Sequence, residues 1–83
     1  MADRAPRPGP AAADPRDRLP AWLGAEVAQY LLHTAAGVPI RALARAAGLP
    51  PSTVSRRVAR LAARRADPAI DRFLADLAAP LAA

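Results

Sequence analysis

The side chains best equipped for chemistry in this 83-residue chain are its arginines. All 12 basic residues are Arg, against 7 acids and a single histidine, which leaves a formal charge of +5. Abundance alone says little, because a high-GC genome enriches Arg and Ala together. Their distribution says more. From Val27 to Ala66 there is no Asp or Glu, while Arg41, Arg45, Arg56, Arg57, Arg60, Arg64 and Arg65 all fall in that window. Such segregation makes a surface that attracts a polyanion. Ser52, Thr53 and Ser55 stand directly before the densest run, and short hydroxyl donors beside guanidinium groups suit phosphate oxygens and base edges.

Other chemistry is sparse. The absence of Cys excludes a disulfide-stapled scaffold, a zinc finger and an iron–sulfur site. His33 has no second histidine to share a metal, and no nucleophile or paired carboxylate that would make it a catalytic base; it reads as a solvated residue or a carbonyl partner near a helix end. A chain this short buries only about 60% of its unfolded surface, which leaves little room for a catalytic cleft. No enzymatic activity, metal or cofactor is therefore expected. The least charged stretch, Val27 to Ile40, is about half a membrane span, and Met1 to Pro10 lacks the apolar stretch of a signal peptide, so the expectation is a cytoplasmic, nucleoid-associated protein with no membrane partner.

The elements that must position these arginines are helices. Residues 1–18 carry Pro6, Pro8, Pro10 and Pro15 with mixed charges, and read as a disordered tail, or as an arm whose Arg4 and Arg7 follow a minor groove. Residues 19–83 read as one domain. Leu23, Val27, Tyr30, Leu31 and Thr34 share one side of a first helix, with Glu26, Gln29 and His33 off it. Gly37 suits its left-handed end, with Val38 packing back as in a Schellman motif. Pro39 fits the first position of a second helix with Ile40, Leu43, Ala44 and Ala47 inward and Arg41 and Arg45 outward; Gly48 stops it, and Pro51 opens a third. There Val54, Val58 and Leu61 share a face. Asp67-Pro68 restarts a fourth helix with a stripe of Ile70, Phe73, Leu74, Leu77 and Leu81. No segment alternates like a strand, so the expected fold is all-α, a small bundle of about four helices.

The segment Ile40 to Leu61, IRALARAAGLPPSTVSRRVARL, resembles a helix-turn-helix DNA-binding motif of the kind shared by the lac repressor and resolvase/invertase types. Ala44 is small where two helices cross, Gly48 supplies the turn, Leu49 fills the gap under it, and Val54 and Val58 seat the recognition helix, about residues 51–65. Arg57 departs from the pattern, standing where an apolar residue is common, with Val58 and Leu61 compensating. More narrowly, LPAWL, Tyr30-Leu31, the motif and ARRADPAIDRFL in that order resemble the N-terminal DNA-binding region of alphaproteobacterial transcription regulators such as gene transfer agent activators. That resemblance implies transcription activation and a separate C-terminal domain absent from this chain.

The expected function is sequence-specific binding of double-stranded DNA by a transcription regulator. With Val54 at 0°, Ser52, Ala59, Ala63 and Arg56 lie between about 140° and 200°, and Arg60 near 240°. Arg56 is the expected base reader, by a bidentate contact to guanine. Ser52, Thr53 and Ser55 suit phosphates or base edges; Arg57, Arg60, Arg64, Arg41 and Arg45 suit phosphates. The competing reading is a helical interaction module docking on RNA polymerase or another regulator, and the fourth-helix stripe admits either packing within the monomer or a homodimer.

Overall fold

A computed structural model describes residues 14–82; Arg4 and Arg7, and with them the arm reading, lie outside the described residues. The expected tail boundary at residue 18 is too late. Pro15–Arg18 form a 3-10 turn capped by Asp14, whose side chain accepts a hydrogen bond from the Arg16 amide at 2.9 Å. That bond holds the Asp14 carboxyl below the usual carboxylate range. Arg18 Nη1 donates to the carbonyl of Pro80 at 3.4 Å, tying this turn to the far end of the chain.

Four helices follow, α1 (Ala25–Thr34), α2 (Ile40–Ala47), α3 (Pro51–Arg64) and α4 (Pro68–Ala82), and the described residues hold no strand. The all-α expectation is met. Helix α1 lies centrally because neighbouring residues on it face different partners. Tyr30 and Leu31 form one buried cluster with Leu74 and Leu81 of α4. Leu32 forms another with Leu43 and Ala44 of α2 and Val54 of α3. Val58 packs against both, so α3 is seated on α1 as well as on α2.

The turns show why the helices stop where they do. Gly48 has φ 68° and ψ 33°, and the Leu49 amide donates to the Ala44 carbonyl at 2.9 Å, the six-residue closure of a Schellman motif. The Schellman motif therefore belongs to α2. At the end of α1, Gly37 does adopt φ 75°, but the Val38 amide reaches back to Leu32 at 3.0 Å in a wider loop, and His33 Nδ1 bonds the Val38 carbonyl at 2.8 Å. Pro39 caps α2 from outside, its carbonyl accepting from Ala42 and Leu43, while Pro51 opens α3 as expected. Asp67 caps α4 through a 2.9 Å bond from the Ala69 amide.

Three assignments along the apolar stripes change. Thr34 is exposed and its hydroxyl donates to the Tyr30 carbonyl at 2.8 Å. Ala47 is exposed. Helix α4 does pack within the monomer, but through Leu74 and Leu81, and Phe73 remains 46% exposed.

Candidate nucleic-acid interface

The outward face of α3 is built from its inward one. Val54 is fully buried against Leu32, Leu43 and Ala44, and Ala44 is small enough for α2 and α3 to cross closely. Fixing Val54 inward turns Ser52, Arg56, Ala59 and Ala63 outward, and all four are exposed. Ser55 is exposed on one flank, and Thr53 is half-buried on the other. Arg41 and Arg45 are exposed on α2. Pro51 leaves one fewer orphan amide at the start of α3, and no acid stands in its first turn.

The arginines divide into two groups. Arg41, Arg45, Arg56 and Arg64 make no ion pair or side-chain hydrogen bond with any described residue. Three others are held. Arg57 Nη1 donates to Gln29 Oε1 at 3.2 Å, Arg60 Nη2 to Glu26 Oε1 at 3.2 Å, and Arg65 Nε to Asp71 Oδ1 at 2.7 Å. Arg65 Nη1 also donates to the Tyr30 hydroxyl at 3.1 Å; that bond first, and the Asp71 carboxylate second, push the Arg65 guanidinium pKa further up.

Two residues of this arrangement, Gln29 and Glu26, lie off the apolar stripe of α1 and are not singled out by its periodicity. Gln29 is 7% exposed, and it gives Arg57 a polar partner at the position where an apolar residue is common in such motifs. Glu26 is the one acid between Asp17 and Asp67, and it lies beside the interface helix. The signal that pointed to Gln29 was the departure at Arg57 itself, since a guanidinium turned toward a neighbouring helix requires an acceptor there.

Among the described residues no helix is long and apolar enough to cross a membrane, and no three His, Cys, Asp or Glu side chains group as metal ligands. A groove of about 270 Å³ lies between the Leu19–Ala21 segment, α1 and α2, and among its lining residues only Arg16 and Gln29 bring polar side chains to it.

Helices α1, α2 and α3 with their two glycine turns all fall within residues 24–66, and over those residues, just over half of the chain, the sequence matches the IclR helix-turn-helix domain. The chain belongs to that family. It is thus a helix-turn-helix DNA-binding domain of the transcription-regulator class. No curated protein and no solved structure matches the chain significantly. Within the IclR-type domain the matched residues contain Glu26, Gln29 and every arginine from Arg41 to Arg65, whereas α4 and its Asp71 lie beyond the match.

Proposed function

We propose that this domain binds double-stranded DNA sequence-specifically, with α3 in the major groove. The observation that carries the reading is the face opposite Val54: exposed, free of acids, and presenting Arg56 with no partner among the described residues. A guanidinium on that face matches the O6 and N7 acceptors of guanine in a fork geometry that a lysine lacks. Ser52, Thr53 and Ser55 supply short donors at the start of the helix, and small Ala59 and Ala63 let it approach the groove. Arg41, Arg45, Arg57 and Arg64 contact phosphates, and Arg60 joins them when it leaves Glu26. The narrower resemblance to gene transfer agent activators makes activation the expected sign of regulation, with the nucleoid the place of action and RNA polymerase or a C-terminal domain as further partners.

The test is duplex binding by fluorescence anisotropy across ionic strength. Each phosphate contact contributes about −0.9 to the logarithmic salt slope, so four to five contacts give a slope between about −3.5 and −4.5. A second reading, a docking module for another protein, is favoured by Phe73, exposed on α4, and by Trp22, 72% exposed before α1. Duplex binding with a slope near zero supports that reading instead.

A further inference from the structure

The seam between α1 and α3 treats two adjacent arginines differently. Stepping three residues forward on α3, from Arg57 to Arg60, goes with three residues backward on α1, from Gln29 to Glu26, so the two helices run in opposite directions along it. Gln29 is a neutral acceptor. It orients the Arg57 guanidinium and leaves its charge intact. Glu26 is a carboxylate, and it cancels the charge that it orients. Both partners of the second pair are open to solvent, Arg60 at 62% and Glu26 at 50%, and Arg60 sits about 40° around α3 from Arg56, at the margin of the reading face. The Arg60 guanidinium is therefore within reach of either the carboxylate or a DNA phosphate, and an exposed pair of this kind is weak enough to exchange one for the other.

We propose that Glu26 is an affinity-limiting latch, an internal competitor for DNA phosphate on Arg60: it keeps Arg60 from engaging phosphates in encounters with arbitrary DNA, and its release is a cost that a seated complex must meet. This rests on the DNA-binding reading above and deepens it. In a loose encounter α3 is not held against the backbone, so a phosphate competes poorly with a carboxylate that is tethered on the neighbouring helix. In a seated complex Arg56 and the serines fix the register, and the phosphate beside Arg60 is held as firmly as Glu26 is.

The test compares wild type, Glu26→Gln, Arg60→Ala and the double variant on two probes: a random-sequence duplex, and the duplex enriched by the wild type from a random pool. Because the pair is exposed, Glu26→Gln keeps the fold, checked by an unchanged melting temperature. On the random duplex at about 0.1 M salt it binds threefold to tenfold tighter, and its salt slope steepens by about 0.9, one additional phosphate. On the enriched duplex, where Arg60 must leave Glu26 to bind, the gain is at least as large and the salt slope is unchanged. Arg60→Ala leaves the Glu26 carboxylate uncompensated and binds the random duplex more weakly than wild type, and Glu26→Gln added to Arg60→Ala brings a smaller gain with no steeper salt slope.

An equally large gain without Arg60, with the same steeper slope, means that Glu26 simply repels phosphate, and it overturns the latch. A gain on the random duplex with none on the enriched duplex overturns the exchange of Glu26 for phosphate in the seated complex. Wild-type binding with Glu26→Gln indistinguishable from it overturns the proposal while leaving the DNA reading intact; no salt-dependent duplex binding by the wild type overturns both.

Discussion

The α2–α3 hairpin and the α1–α4 pair both border the arginine-rich surface, yet they treat it in opposite ways. The hairpin presents its arginines: Arg41, Arg45 and Arg56 stand exposed without a partner among the described residues. The pair restrains them, since Gln29, Glu26 and Tyr30 on α1 and Asp71 on α4 hold Arg57, Arg60 and Arg65. A helix-turn-helix of this size thus separates two tasks that act on the same residue type. On the proposed reading, one region reads DNA and the other sets how much charge reaches the reading face and where.

Breaking the brace has the largest expected effect. Leu31 is fully buried between α1 and α4, so Leu31→Ala removes its packing and leaves a cavity, at a cost of about 2–5 kcal/mol. For a domain of this length that is a large share of total stability, and urea denaturation will show most of the cooperative transition lost or shifted to low denaturant. A transition midpoint within experimental error of wild type would show that the hairpin stands without its brace.

Arg56→Ala strikes the reading side alone. It is expected to weaken specific binding by about 1–3 kcal/mol and to relax preference at one base position, with the melting temperature unchanged. The ranking of single-base variants of the enriched duplex measures this. An unchanged ranking moves base reading elsewhere on α3.

Tyr30→Phe tests the opposite partition. It removes only the hydrogen bond from Arg65, worth about 0.5–1.5 kcal/mol and a fall of several degrees in melting temperature. Arg65 lies about 20° from Val54 around α3, on the seated side, so duplex affinity is expected to stay within twofold of wild type. A larger loss would place Arg65 among the DNA contacts.

How much of this was legible from the sequence follows the same division. The hairpin was read almost residue by residue, because Ala44, Gly48, Leu49, Pro51 and Val54 each meet a local requirement of crossing, turn or cap that does not depend on distant chain. The brace was read less well. Gln29 and Glu26 fall off the apolar stripe of α1 for a reason that periodicity cannot carry: their partners lie 28 and 34 residues away on another helix. The Schellman motif was placed at Gly37 instead of Gly48 because a left-handed glycine ends both helices, and only the partner of the following amide tells the two closures apart.

Phe73 is the smallest expected effect and the sharpest correction. With the α4 stripe packed within the monomer, Phe73 reads from the sequence as a core residue whose truncation costs about 3–5 kcal/mol. The helix wheel explains why it is not one. With Leu74 at 0°, Leu81, Ile70, Leu77 and Ala78 fall between about −60° and +40°, all packed against α1 and its neighbours, whereas Phe73 stands near −100°, past the edge of that stripe. It lines a shallow groove with Val27, Leu61 and Arg64 and leaves nearly half its surface in water. Full burial of such a side chain is worth about 1.5–3 kcal/mol, so half burial gives roughly 1, and Ala recovers a few tenths through its better helix propensity. Phe73→Ala should therefore cost under about 1 kcal/mol in urea denaturation and leave duplex affinity as it was. A loss above about 3 kcal/mol would mean that a second surface covers Phe73 in solution, and a drop in sedimenting mass in the same variant would identify that surface as another copy of this chain.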